Sequence, residues 1–124
     1  MVSEQSSYNH GLLIKSVIKI LKKGKFKQIR AKIPGYEKPE AIGKEANGKG
    51  YIPDIIAQRE IEVIFEIETR NSMGSRYTDV KWRAFDKHAR ENNKTFYIIV
   101  PQGLSNRVKE RADKLKIFPK IMVI

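Results

Sequence analysis

Cysteine is absent from the 124 residues, which excludes disulfides, thiolate zinc centres and a cysteine nucleophile and leaves the redox compartment open. Long apolar runs are lacking too. The longest cover only a few residues, far short of the roughly 20 needed to cross a bilayer, so no membrane partner is expected. Ser3 to His10 is polar where a secretory leader would begin its apolar stretch, and an intracellular, cytoplasmic protein is the expectation. The two histidines, His10 and His88, lie far apart without ligand-like spacing, and each reads as a helix surface or edge residue. Gly-Lys pairs at Gly24-Lys25, Gly43-Lys44 and Gly48-Lys49 lack the rest of a phosphate loop. Ser72 and Ser75 have no neighbouring base to activate them. Acidic residues are the minority charge, 14 against 25 lysines and arginines, for a formal net charge of +11. A field of that sign attracts anions, such as nucleic acid or an acidic membrane surface, or serves solubility alone. The length suits a single domain, 1–124, with a single core.

From about Tyr8 to Lys23, Leu13, Ile14, Val17, Ile18, Ile20 and Leu21 recur at intervals of three and four, with Lys15, Lys19, Lys22 and Lys23 opposite them. The spacing predicts an amphipathic helix, closed by Gly24 in a left-handed cap. Phe26 to Ile33 alternates imperfectly and reads as a strand. Pro34 to Gly50 holds four glycines and two prolines without a sustained period; a mobile loop at about 34–50 is expected, with an irregular strand inside and with Lys38, Lys44 and Lys49 available to phosphate. Tyr51 to Ala57 and Ile61 to Thr69 form a hairpin across Gln58-Arg59-Glu60. Asn71 to Ser75 reads as a turn. Arg76 to Asn92 is a second helix, with Tyr77, Val80, Ala84, Phe85 and His88 or Ala89 inward and Arg76, Lys81, Arg83, Lys87 and Arg90 outward. Trp82 stands off that stripe, where it would stack on a base, pack between subunits, or fill core or rim. Thr95 to Val100 is an apolar strand buried on both faces. Leu104 to Lys116 is a third helix, and Ile121 to Ile124 a last strand. The fold class is α/β, in the order helix, strand, hairpin, helix, strand, helix, strand.

Against the basic background, Glu60, Glu62, Glu66 and Glu68 fall within nine residues. Side chains alternate along a strand, so Glu66 and Glu68 share a face, about 6 to 7 Å apart at their roots. One account leaves all four acids on the wet face of an amphipathic strand. The other answers the repulsion of like charges on one face with a cation, leaves Glu60 and Glu62 at the surface, and brings Asp54 across the hairpin to Glu66. Magnesium or manganese would then take Asp54, Glu66 and the carbonyl of Ile67 as ligands, with Glu68 binding a second ion or orienting water.

Pro53-Asp54, a turn, and Phe65-Glu66-Ile67-Glu68 resemble the signature of the PD-(D/E)XK nuclease superfamily, whose fold is similar to that of restriction endonucleases and archaeal Holliday junction resolvases. The order of elements from about residue 8 to residue 100 shares that similarity. The resemblance implies a restriction-endonuclease-like mixed central sheet flanked by helices, and a magnesium-dependent endonuclease that hydrolyses DNA, duplex or branched. Its catalytic residues would be Asp54, Glu66 and Glu68. Glu68 stands where the pattern has lysine, and Lys81 on the next helix is the candidate to replace it. The resolvases tend to carry an acid in the first helix; here the only acid before Glu37 is Glu4. Lys49, Arg70, Arg76, Lys81 and Arg83 are the candidates for DNA phosphates, and cutting both strands with one site per chain implies a homodimer. The alternatives are an inactive nucleic-acid-binding protein on the same fold, favoured by Glu68, and a basic interaction protein.

Overall fold

A computed structural model describes residues 4–43 and 49–124, with the side chains of residues 4–8 left aside. The chain runs α1 (Glu4–Lys23), β1 (Lys27–Ala31), β2 (Ile55–Arg59), β3 (Ile61–Ile67), α2 (Arg76–Glu91), β4 (Thr95–Val100), α3 (Ser105–Leu115) and β5 (Lys120–Val123). The strands form a single mixed sheet in sequence order. β1, β2 and β3 pair antiparallel, whereas β4 and β5 each join parallel to the strand before, which requires the crossovers supplied by α2 and α3.

The helices cover both faces. On one side Ile14, Val17, Ile18 and Leu21 of α1 pack on Val63, Phe65, Ile67 and Ile99. On the other, Trp82, Phe85 and Ala89 of α2 and Val108 and Ala112 of α3 pack on Ile56, Ile64, Phe96 and Ile98. β3 therefore sends Val63, Phe65 and Ile67 towards α1, and Ile64, with Glu66 and Glu68 in phase with it, towards α2.

Local details differ from the sequence expectation for identifiable reasons. Gly24 is not the left-handed residue: Lys25 takes φ +66°, with its amide donating to Lys22 O and that of Phe26 to Leu21 O, the paired bonds of a Schellman ending. Ile20 lies outside the buried stripe of α1, 46 % exposed. The imperfect alternation of Phe26, Ile29 and Ala31 has a cause in β1, where Gln28 takes φ +52° and the register with β2 shifts. That bulge turns Phe26 back to the face shared by Ile29 and Ala31. The hairpin turns at Glu60, φ +65°, and leaves Gln58 and Arg59 inside β2.

Ile42 and Tyr51 pair backbone to backbone, so the stretch between them starts and ends at one place. Gly50 is needed there, because a Cβ would come within 2.8 Å of Gly43 O. Lys44 lies outside the described residues.

The phase of α2 needs a larger correction. Tyr77 and Val80 are exposed, 58 % and 38 %, while Thr78, Asp79, Trp82, Phe85, Asp86 and Ala89 are buried. Partners make the polar burial tolerable: Thr78 Oγ1 donates to Ser72 O, Asp79 pairs with Arg111 of α3, and Asp86 accepts the Phe118 amide. Trp82 is a core residue, fully enclosed. Among the described residues no helix is long and apolar enough to cross a membrane.

Candidate active site

The register of the hairpin builds the site. Ile55 pairs with Phe65 and the ladder runs antiparallel, so Asp54 lies opposite Glu66 one step beyond it. The two acids lock to each other's strand: the Asp54 amide donates to Glu66 Oε1 at 3.0 Å, and the Ile67 amide donates to Asp54 Oδ2 at 2.9 Å. A strand residue's N–H and C=O point to the same edge, so the Ile67 carbonyl also faces Asp54. Asp54, Glu66 and Glu68 are only 2 %, 2 % and 1 % exposed. These acids are therefore not the wet face of an amphipathic strand.

Glu68 has its own partners. Oε1 accepts the Ser72 hydroxyl at 2.6 Å and Oε2 accepts the indole N–H of Trp82 at 2.7 Å. Ser72 thus has a carboxylate beside it, which the sequence does not disclose. Lys81 turns inward, with Nζ 2.5 Å from Glu66 Oε2 and 3.8 Å from Glu68 Oε2. It is not on the outward face of α2, because its stem lies beside buried Thr78 and Trp82 and its charge is drawn to two buried carboxylates. From α1, His10 Nε2 reaches Asp54 Oδ1 at 2.9 Å, and Lys32 Nζ lies 3.8 Å from the same oxygen.

Protonation follows from these contacts. Burial pushes Glu66 well above the ordinary glutamate value and the charge of Asp54 adds to it, with Lys81 opposing. Burial likewise raises Glu68 against Lys81, Ser72 and Trp82. Burial alone would raise Asp54, but the hydrogen bond and charge of His10 outweigh it and hold the carboxyl low. His10 is raised in return by its bond to Asp54. Burial pulls Lys81 down, yet the charges of Glu66 and Glu68 overcome it and keep the ammonium protonated.

The chain matches no family model, no curated protein and no solved structure. The site must therefore be read from its own chemistry. Among the described residues no group of three or more His, Asp and Glu side chains is disposed to hold a metal ion. The donor set is instead a facing pair, Asp54 and Glu66, with the Ile67 carbonyl. All of it is oxygen, the donor kind that a hard divalent cation takes, and each carboxylate oxygen of the pair is engaged by a protein donor. Lys81 is the competitor for Glu66.

The other predicted residues divide. Arg70 follows the site by two residues, and Arg76 opens α2; both are exposed. Lys49 is exposed at the end of the loop before β2. Arg83 is two residues beyond Lys81, about 200° around the helix, and points away from the site. Glu60 is exposed as expected, but Glu62 is half-buried between Arg30 and Lys94, each 2.5 Å away. His88 keeps its edge place, bonded to Asn92 and Lys94 at the end of α2.

Proposed function

We propose that the protein is a metal-dependent nuclease that hydrolyses DNA phosphodiester bonds, built on a restriction-endonuclease-like sheet. The observation that carries this reading is the facing of Asp54 and Glu66 across the hairpin, with Lys81 at 2.5 Å from Glu66. A mixed sheet flanked by helices supports this reading. A bound magnesium or manganese ion would supply Lewis-acid polarisation of the phosphate and an acidified water. Asp54, Glu66 and the Ile67 carbonyl would hold it. His10 fixes the orientation of Asp54, and Lys81 supplies an ammonium beside Glu66 to make up for the lysine that Glu68 replaces. Glu68 positions Lys81 and Trp82. Arg70 and Arg76 meet phosphates beside the site, and two copies cut the two strands of a duplex.

The test is cleavage of linear, supercoiled and branched DNA with magnesium or manganese. Asp54→Ala and Glu66→Ala are expected to abolish cutting, and Lys81→Ala to lower kcat by about 100-fold or more if it positions or activates the water. Cutting undiminished in either acid variant refutes the site. A second reading has one observation in its favour: every carboxylate oxygen of Asp54, Glu66 and Glu68 already has a protein partner. An inactive nucleic-acid-binding protein would satisfy its acids in this way. Titration calorimetry with manganese separates the two, since the nuclease binds the ion and Glu66→Ala loses it.

A further inference from the structure

Between β1 and the long loop, residues 32–37 form a short excursion tied at its base by the Ala31 amide, which donates to Glu37 O at 2.9 Å. Gly35 takes φ +92° at its tip, a conformation that L side chains rarely adopt, and the ring of Pro34 beside it restricts its own φ. The excursion and the end of β1 line an open cavity of about 340 Å³. Its walls combine three kinds of surface. Ala31, Ile33 and Pro34 are apolar, Tyr36 is aromatic, and Lys32 and Lys38 are basic. Lys22 of α1 makes a cation–π contact with the ring, with Nζ 5.5 Å from the centre of Tyr36.

The cavity adjoins the acidic site through one residue. Lys32 lines it, yet Lys32 Nζ also lies 3.8 Å from Asp54 Oδ1 and donates to Ile52 O at 3.5 Å, while its amide donates to Asp54 O. A ligand bound in the cavity therefore shares a cation with the place where the phosphodiester would be cut. Apolar walls, one ring and flanking ammonium groups suit a flat, aromatic, anionic group. The volume, near the lower end of the range for ligand pockets, matches one nucleoside, and a base laid on the Tyr36 ring must offer its face. In a duplex the bases are stacked and show only their edges.

We propose that this cavity is a subsite for one unpaired nucleotide next to the scissile phosphate, with the base against Tyr36 and its phosphates on Lys32 and Lys38. The proposal deepens the nuclease reading and rests on it. It names the substrate class: DNA with an unstacked nucleotide at the cut, as in a flap, gap, branch or single strand, is bound in preference to blunt duplex.

The experiment is fluorescence anisotropy with an end-labelled single-stranded DNA of about 12 nucleotides, the span of a small binding site, and a blunt duplex of the same sequence, in chelator so that chemistry is off. Tyr36→Leu keeps apolar packing and removes the ring; Tyr36→Phe keeps the ring; Lys109→Ala, on the exposed side of α3, is the control. Tyr36→Leu is expected to weaken single-strand binding about tenfold, the effect of losing one base–aromatic stack, and to leave duplex binding within about twofold. Tyr36→Phe and Lys109→Ala should bind as the native chain does. Equal loss on both DNAs, or no loss on either, overturns the subsite. Cleavage of the same DNAs with manganese keeps the two ideas apart. Native chain that cuts, with Tyr36→Leu indifferent to strandedness, refutes the subsite and leaves the nuclease; native chain that never cuts, yet binds single strands through Tyr36, refutes the nuclease and leaves the subsite.

Discussion

Glu66 is the residue on which the electrostatics of the site turn. Burial and the neighbouring Asp54 charge favour its protonated form, against the ammonium of Lys81. The sign of the consequence for stability is fixed. Above the ordinary glutamate value of 4.5 the unfolded chain has released a proton that folded Glu66 still favours, so stability falls as pH rises through that window. Glu68 acts in the same direction. His10 joins it at higher pH, because a raised histidine contributes stability below its ordinary value of 6.5 that is lost as pH climbs past the folded value. Asp54, Glu62 and Asp79 are held low, and their contribution disappears only as the solution becomes acid. His88, held low by burial and by Lys94, acts in the opposite direction below its ordinary value of 6.5. Tm is therefore expected to decline from about pH 6.5 to about pH 8, and Glu66→Gln to make the decline shallower. A changed hydrogen bond to Lys81 would offset the whole curve, whereas titration sets its slope; an unchanged slope sinks the assignment. His10 was legible in principle. It lies four residues before Ile14 and seven before Val17, on the buried stripe of α1, but a rule that counts only apolar residues ends that stripe at Leu13.

Elements show the same lesson at larger scale. The apolar pattern of α2 selects Tyr77 and Val80, yet the helix rotates to bury Thr78, Asp79, Trp82 and Asp86. Their partners, Ser72, Arg111, Glu68 and the Phe118 amide, come from other parts of the chain, and no local period encodes them. The hairpin was readable because pairing across a short turn is a local matter, and with it came the facing of Asp54 and Glu66. Two changes test these elements. Trp82→Phe leaves a buried Glu68 oxygen without its indole donor and shortens a core side chain, for an expected loss of about 3 kcal/mol in urea unfolding. A loss within experimental error would mean that the bond to Glu68 is not formed. Lys25→Gly places at the end of α1 the residue type that a left-handed φ of +66° favours, and is expected to stabilise the fold by about 0.5–1 kcal/mol. A lower Tm in that variant would show that Lys25 does not hold the left-handed position.

For the whole molecule, a net charge of +11 ensures some attraction to any polyanion, so affinity for DNA alone says little about where it docks. The salt dependence says more, because removing one cation that neutralises a phosphate lowers the slope of log K against log salt concentration by about 0.9 for duplex DNA. Arg70 is exposed in the turn after β3 and Arg76 is exposed at the start of α2, both close in sequence to Glu68, whereas Arg83 points away from the site and Lys19 lies exposed on α1. If the duplex crosses the end of the sheet where Asp54 meets Glu66, Arg70→Ala and Arg76→Ala each reduce the slope by about 0.9, while Arg83→Ala and Lys19→Ala leave it within about 0.3. Slopes from binding titrations across a range of salt concentrations, taken in chelator, provide the comparison. Equal reductions in all four variants would mean that DNA follows the general charge of the chain, and the acidic site would then have no claim to be where the phosphodiester lies.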